Sequence, residues 1–336
     1  MDIKEILKEL IQINTVGDIY NKEIIDYIEE YLKNLGFTTE YKSKCLVMSN
    51  RDDCNIGFLG HTDTVSHSSD WSVNPFELTE LDGKLYGLGA SDMKGSIAAI
   101  LSAVSKVNFD KFDRGIRLFF TYDEEIGFSG INELVKRETK FPKNMIIGEP
   151  TNNEIVNASK GLLEFRVKFK GVSSHSSKPL EGVNAIEKCI EFVRSLQEYY
   201  NDLKKDSFDS KCATMNVGVI NGGRSINIVP DFCEVLIDFR TVTSEQNKSI
   251  IEKIGELTNF EDVDYEVINN ILPFANSSDE VNMSDFISEA SFIDSKNRYI
   301  LGAGPINAHK KDEFITIDSL NKLEEQYIEM IEQNCR

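Results

Sequence analysis

Short apolar runs alternate with segments of helical periodicity through the first half of the chain, and this alternation limits the possible folds most strongly. The apolar runs are CLVM, NIGFLG, GIRLFFTY and NMIIG. Apolar spacing and flanking breakers predict the intervening helices at 3–12, 22–35, 94–107 and 130–138. Strands that alternate with helices in this way form a sheet with crossover helices on its faces. The sequence therefore predicts an α/β fold.

A different order of elements begins near Ser159. The segments from LLEFRVKF to VDYEVINN follow the order strand, helix, strand, strand, helix, strand, which is the βαββαβ (ferredoxin-like) arrangement. A helix at 281–291, the apolar run RYILGAG and a final helix at 320–333 are expected after it. Because 336 residues exceed the usual size of one domain, we predict a discontinuous larger domain, 1–158 and 269–336, with an inserted domain at 159–268.

Composition excludes several classes of partner. The chain has 37 Lys plus Arg against 56 Asp plus Glu, a formal charge of −19, which opposes binding to nucleic acid. No apolar stretch of about 18 residues is present, and the N-terminal MDIKEILKELIQI has the pattern of an amphipathic helix and lacks the apolar segment of a signal peptide. The six cysteines form no CxxC pair, as expected of reduced structural thiols. We expect a cytoplasmic protein with no membrane partner.

Three adjacent carboxylates interrupt the stretch LFFTYDEEIG, which contains no Lys or Arg. They are Asp123, Glu124 and Glu125. Adjacent like charges repel, so a positive group is expected nearby. A solvated turn, a cluster of arginines from elsewhere or a metal ion would each explain the run.

Other polar residues also follow apolar runs, each just past the end of a predicted strand. Together with the acidic run, they are His61, Glu124, Glu125, Glu149 and His309. Ligands of open α/β sheets bind at the carboxyl ends of the strands, so these side chains are expected to converge. Asp92, in the glycine-rich loop GLGASDMKGS before a helix, is a candidate for the same edge.

Two histidines among several carboxylates suit zinc or manganese, for which imidazole and carboxylate are good ligands. Two ions about 3.5–4 Å apart could share one carboxylate and hold a hydroxide between them. Asp63 is spaced to accept from the second ring nitrogen of His61 and so to orient the imidazole. In the pair Glu124 and Glu125, one carboxylate could ligate metal while the other moves protons.

Taken singly, these residues have ordinary explanations. A histidine after an apolar run, such as His61, is often a core or capping residue. Asp92 would serve as a helix N-cap. The two glutamates of the acidic run would form a solvated turn, and Glu149, before a proline, would be a simple loop residue. The joint pattern favours the metal site.

Several segments, in order along nearly the whole chain, carry a resemblance to a known family. They are GHTDTV, GKLYGLGASDMKG, TYDEEIG, IIGEPT, GVSSHSSKPLEGVNAIE and GPINAHKKDEF. The chain resembles the two-zinc deacylases and exopeptidases, a family that includes acetylornithine deacetylase, succinyl-diaminopimelate desuccinylase and aminoacylases. The resemblance implies a zinc-exopeptidase-like α/β catalytic domain with an inserted lid and dimerisation domain.

The resemblance also implies two zinc ions per subunit, with cobalt or manganese as substitutes. The implied ligands are His61, Asp92 and Glu149 for one ion, and Asp92, Glu125 and His309 for the other. The implied catalytic residues are Glu124 as general base, Asp63 orienting His61, and His175 stabilising the oxyanion in the active site of the partner subunit.

Further residues resemble substrate-binding positions of the family. They are Arg240, Asn227, Asn307 and Ser288. Two of the roles that the resemblance implies, those of His175 and Arg240, have local alternatives. His175 between serines could be an exposed loop histidine, and Arg240 could pair with Asp238 or Glu234, since residues two apart on a strand share a side.

The expected activity is metal-dependent removal of an N-acyl group from an amino acid, and the resemblance favours N-acetylornithine. Desuccinylation of N-succinyl-diaminopimelate and a dipeptidase-like activity are the alternatives within this chemistry. A metal-binding relative without catalysis is a further alternative, although a proton-shuttling Glu124 would have no use in it. An exposed strand edge on the inserted domain predicts a homodimer.

Overall fold

The computed structural model describes residues 1–17, 21–137, 141–205, 207–208, 211–277 and 280–336. These residues form two compact units. The first unit contains Met1–Asn157 and Ser288–Arg336, and the second contains Ala158–Ile287. The second unit is thus inserted into the first in sequence.

Helices and strands are mixed along the whole of the described chain. The helices are α1 (Ile3–Gln12), α2 (Lys22–Asn34), α3 (Lys94–Lys106), α4 (Ser129–Arg137), α5 (Ala185–Leu203), α6 (Ser244–Leu257) and α7 (Ile317–Asn334). The strands are β1 (Thr38–Lys42), β2 (Cys45–Ser49), β3 (Cys54–His61), β4 (Thr79–Leu81), β5 (Lys84–Tyr86), β6 (Gly115–Thr121), β7 (Asn144–Ile147), β8 (Ala158–Ser159), β9 (Gly161–Lys170), β10 (Ser207–Phe208), β11 (Lys211–Cys212), β12 (Thr214–Gly222), β13 (Phe232–Thr241), β14 (Val263–Ile271), β15 (Phe274–Ala275), β16 (Met283–Ser284), β17 (Asn297–Ile300) and β18 (Phe314–Thr316). The predicted helix 130–138 corresponds to α4, and Glu138 lies outside the described residues.

The first unit is built on a six-stranded sheet in the order β1-β2-β6-β3-β7-β17. Strands β6, β3, β7 and β17 are parallel, while β1 and β2 add an antiparallel edge. The carboxyl ends of the four parallel strands therefore lie along one edge of the sheet. A smaller antiparallel sheet joins β18, β5 and β4. This confirms the predicted α/β class.

Helix α3 is the central helix of this unit. Every residue from Lys94 to Val104 is buried, because α1, α2 and α7 all contact this helix. A helix whose residues are apolar or small on every side requires other elements to cover all of its faces. The loop before α3 is therefore anchored to a fixed part of the core.

The second unit has the predicted βαββαβ order, formed by β9, α5, β12, β13, α6 and β14. Its four strands are antiparallel in the order β12-β13-β9-β14. Alternate residues of β13 are buried, as expected for a sheet with one face covered. Phe165, Val167 and Phe239 pack with residues of α5 and α6 in its core.

Two expectations for the end of the inserted segment differ from the structure. Strand β14 continues to Ile271, and the second unit extends to Ile287, past the predicted boundary at 268. The predicted helix at 281–291 is wrong: β16 instead pairs in parallel with β8, and a single 3-10 turn follows at Glu289–Phe292. Pairing with a distant strand outweighs the local helical periodicity, since propensity is a weak preference.

Within the described ranges, no helix is both long enough and apolar enough to cross a bilayer.

Candidate metal centre

The parallel strands bring the polar residues predicted at their ends to one edge of the sheet. His61 is the last residue of β3, and Glu124 and Glu125 follow β6. Glu149 follows β7, and His309 lies in the loop after β17. Because β3 pairs with both β6 and β7, residues that are far apart in sequence meet here.

His61 faces two carboxylates. Its Nε2 lies 3.0 Å from Oδ1 of Asp92 and 3.8 Å from Oε1 of Glu149. All three side chains are mostly or fully buried. Oε1 of Glu149 has no hydrogen-bond partner among the described residues. A buried carboxylate oxygen in that state is costly unless a further ligand satisfies it.

His309 faces the other oxygen of the same aspartate. Its Nε2 lies 3.5 Å from Oδ2 of Asp92 and 3.0 Å from Oε1 of Glu125. Asp92 thus directs one oxygen toward each histidine. This is the geometry required of a carboxylate shared by two ions.

Three groups of side chains in this cluster could hold a metal ion, with ligand atoms within 4.8 Å of one another. Two of them are His61–Asp92–Glu149 and Asp92–Glu125–His309. The third joins His61, Glu124 and Glu125, so geometry alone also allows Glu124 as a ligand. The donor set of imidazole and carboxylate fits zinc or manganese.

The cluster is electrostatically frustrated in the absence of cations. Burial raises the pKa of Glu149 well above its usual range, and the charge of Asp92 adds to this. Burial likewise raises the pKa of Glu124, opposed by His61 and reinforced by Glu125 and Asp92. Burial acts to lower the pKa of His61, but hydrogen bonding to Asp63 and Asp92 outweighs it and raises that pKa. Cations would relieve the carboxylate repulsion.

Asp63 supports both sides of the cluster. Nδ1 of His61 lies 3.1 Å from the backbone carbonyl of Asp63 and 3.6 Å from its carboxylate. The carbonyl is therefore the closer acceptor, and the predicted carboxylate is the second neighbour of the same ring nitrogen. The carboxylate also accepts from the backbone N–H groups of Glu124 at 3.2 Å and Glu125 at 3.1 Å.

The remaining carboxylate of the acidic run has a separate structural function. Asp123 accepts from the backbone N–H of Ser129 at the start of α4. The run DEEIG is therefore divided between a helix start and the candidate metal cluster.

By sequence, Asp92 is a candidate N-cap of α3. The N-cap position of α3 is instead occupied by Met93.

Three predicted residues belong to the second unit. His175 is exposed and its Nδ1 lies 2.8 Å from Oγ of Ser177. Asn227 is also exposed, and its backbone carbonyl accepts from Ser176, so His175 and Asn227 lie on neighbouring segments. Nε of Arg240 donates to Asp238 at 3.1 Å, which is the same-strand pairing weighed as the alternative.

The other two predicted substrate-binding residues lie in the first unit. Asn307 is half-buried, and its side-chain oxygen accepts from Phe314 N–H at 3.4 Å. Ser288 is fully buried, and its hydroxyl accepts from Ala290 N–H at the start of the 3-10 turn. A buried capping hydroxyl is not presented to a ligand, so this placement argues against direct substrate contact by Ser288.

Sequence reasoning missed two buried carboxylates near the cluster, Glu289 and Glu313. Burial raises the pKa of each to about 7. Glu289 accepts from the hydroxyl of Thr121, the last residue of β6, at 2.9 Å. Glu313 accepts from backbone N–H groups of the loop that carries Asp92. Glu313 stands in the polar stretch KKDEF, which resembles a surface loop, and Glu289 lies in the segment 281–291 predicted as a helix. Neither pattern indicated a buried carboxylate.

Comparison with known proteins identifies a matching family and several similar proteins. Residues 157–266 match the M20 peptidase dimerisation domain. A tripeptidase from Staphylococcus aureus has the same fold, with a TM-score of 0.83 and 22% identity over 99% of this chain and 98% of that one. An acetylornithine deacetylase from Pasteurella multocida is 30% identical over 355 residues, 95% of this chain and 92% of that protein. An acetylornithine deacetylase from Buchnera aphidicola is 35% identical over 256 residues, 71% of this chain and 67% of that protein.

The fold and the carboxylate–histidine centre define a metal-dependent amidohydrolase. More particularly, the chain belongs to the M20 peptidase family, and its relatives from Pasteurella and Buchnera are acetylornithine deacetylases. The predicted family is thereby confirmed.

Proposed function

We propose that the protein removes the acetyl group from N-acetylornithine, a step of arginine biosynthesis. The observation that carries the chemistry is Asp92, which turns one oxygen toward each of two histidines beside the half-buried Glu124. The substrate is proposed from the relatives, two of which are acetylornithine deacetylases matched over most of their length.

Two zinc ions are the proposed cofactors, with cobalt or manganese as substitutes. His61, Asp92 and Glu149 would hold one ion, and Asp92, Glu125 and His309 the other. When bound, such ions polarise an amide carbonyl and lower the pKa of water at the site.

Glu124 is the proposed general base. It is half-buried, and its raised pKa suits a group that takes a proton and later returns it to the leaving amine. Asp63 holds the backbone N–H of Glu124, so the glutamate is positioned independently of its own side-chain contacts. An oriented acid–base group of this kind accelerates amide cleavage because the departing nitrogen must be protonated.

The substrate and partner assignments rest on the resemblance. Arg240 and Asn227 would bind the substrate carboxylate, and Asn307 would lie near the last metal ligand. Arg240 would have to exchange its bond to Asp238 for the substrate. The dimerisation-domain match supports a homodimer, and a cytoplasmic location is part of the same proposal.

The test of the substrate is hydrolysis by the zinc-loaded protein of N-acetyl-L-ornithine beside N-succinyl-L,L-diaminopimelate, with a chelator-treated control. Acetate release that the chelator abolishes is expected. Succinate release would keep the chemistry and replace the substrate. A dipeptide is tested in the same assay, and its cleavage alone would point to the peptidases of the family. No cleavage of any of the three compounds would refute the proposal.

We also propose that His175 acts in the active site of the partner subunit. His175→Ala and Glu124→Gln subunits, each inactive alone, are then expected to regain activity when co-expressed with two different tags. The hybrid dimer would contain one site with an intact Glu124 and an intact His175. Activity of the purified hybrid measures this, with the two parent homodimers as controls. A hybrid as inactive as its parents would exclude the trans role.

A further inference from the structure

The carboxylate of Glu313 lies at the centre of the loop that carries Asp92. Its Oε2 accepts from Gly89 N–H at 3.1 Å, and its Oε1 accepts from Ser91 at 2.7 Å and Asp92 at 2.9 Å. Glu313 is only 2% exposed. Three backbone donors converging on one buried carboxylate fix the loop by charge-assisted hydrogen bonds.

The loop that carries Asp92 turns at Gly89. Gly89 has φ +80, a left-handed conformation that glycine adopts without strain. A side chain there would also meet Thr64 at 2.8 Å. After Gly89, the backbone N–H of Ala90 donates to the carbonyl of Gly87, and Glu313 satisfies the N–H groups of Ser91 and Asp92.

The position of Glu313 is itself set by strand pairing. Phe314, the next residue, pairs with Tyr86 in the small antiparallel sheet. The carbonyl of Glu313 accepts from Gly87 N–H at 3.1 Å. The backbone on both sides of the carboxylate is therefore held, so the side chain reaches a fixed point.

Glu313 also stands four residues after His309. His309 is 54% exposed and has φ +61, a conformation that costs free energy for a residue with a side chain. Such a loop needs an anchor to hold its histidine toward Glu125 and Asp92. Glu313 joins this loop to the loop of Asp92.

We infer that Glu313 is a positioning residue that fixes the shared ligand Asp92 and couples its loop to that of His309. The inference rests on the metal-binding roles proposed for Asp92 and His309, and adds a residue that touches neither metal nor substrate. Partners that orient metal ligands typically contribute about 10–100-fold to metal affinity or activity.

The test is Co²⁺ binding to metal-free protein. Calorimetry measures the affinity, and the visible absorption of bound Co²⁺ reports the ligand geometry. Glu313→Gln keeps the size of the side chain but replaces one acceptor oxygen with an NH₂ donor. It is expected to weaken Co²⁺ binding by about 10–100-fold and to change the spectrum. The readout needs no substrate, so it holds even if N-acetylornithine is not cleaved.

Glu324→Gln is the matched control. Glu324 is another buried carboxylate, which accepts from Ser102 and pairs with Lys106 at 2.7 Å near the far end of α3. Its loss should lower the melting temperature and leave Co²⁺ affinity unchanged. A folded Glu313→Gln protein with unchanged affinity and spectrum would overturn the inference.

A second variant covers the case in which Glu313→Gln does not fold. Glu313→Asp keeps both acceptor oxygens and shortens their reach by one methylene. We expect Co²⁺ affinity between those of the wild type and the glutamine variant. Wild-type affinity and spectrum in Glu313→Asp would likewise count against a positioning role.

Discussion

Glu124→Gln is expected to lower kcat by about 100- to 10,000-fold while the protein keeps its bound metal. The amide is nearly the same size as the carboxylate, so the backbone bond from Glu124 N–H to Asp63 is retained. What is lost is a group that can accept a proton and return it. Turnover of N-acetyl-L-ornithine and zinc content by atomic emission measure the two effects.

Glu125→Gln is the control in the same turn, because Glu125 faces His309 at 3.0 Å. It should lose metal as well as activity. The third candidate group, His61 with Glu124 and Glu125, makes a rival prediction. If Glu124→Gln lost zinc to the same extent as Glu125→Gln, Glu124 would be a ligand. Full activity in Glu124→Gln would rule out the base.

Asp92→Ala is expected to lose both metal ions, because Asp92 is the residue common to the groups His61–Asp92–Glu149 and Asp92–Glu125–His309. Glu149→Ala and His309→Ala should each lose about one of the two ions. Zinc per chain after dialysis against a weak chelator separates these outcomes. Retention of one tightly bound ion by Asp92→Ala would contradict a shared ligand.

Thermal unfolding gives an independent measure of the same variant. A ligand at 1,000 times its Kd stabilises the folded state by about 4 kcal/mol per site. Zinc should therefore raise the melting temperature of the wild type strongly and that of Asp92→Ala little. The chelator-treated proteins provide the baseline for each variant.

The sequence determined the helices and the parallel strands of the first unit and the edge at which its polar residues meet. Helix α1 lies where apolar spacing predicts it, and His61 ends β3 as the apolar run NIGFLG requires. Periodicity is a local property, and parallel strands place their carboxyl ends together whatever the remaining details. The candidate ligands could therefore be chosen before any distance was known.

Tertiary structure decided the contacts that depend on pairing between distant segments. The segment 281–291 is helical by local pattern, yet β16 within it pairs with β8. The same segment buries Ser288 as a cap. Arg240 had two possible partners on its own strand, and packing selected Asp238.

Glu313 shows the physical reason for this division. In the sequence it is one charged residue in KKDEF, and nothing local distinguishes it from a solvated glutamate. Only the pairing of β18 with β5 brings its carboxylate to three backbone N–H groups that lie more than 200 positions earlier in the chain. Local periodicity specifies which residues face a core or end a strand, whereas the burial and partners of a single charge are set by the packing of the whole unit.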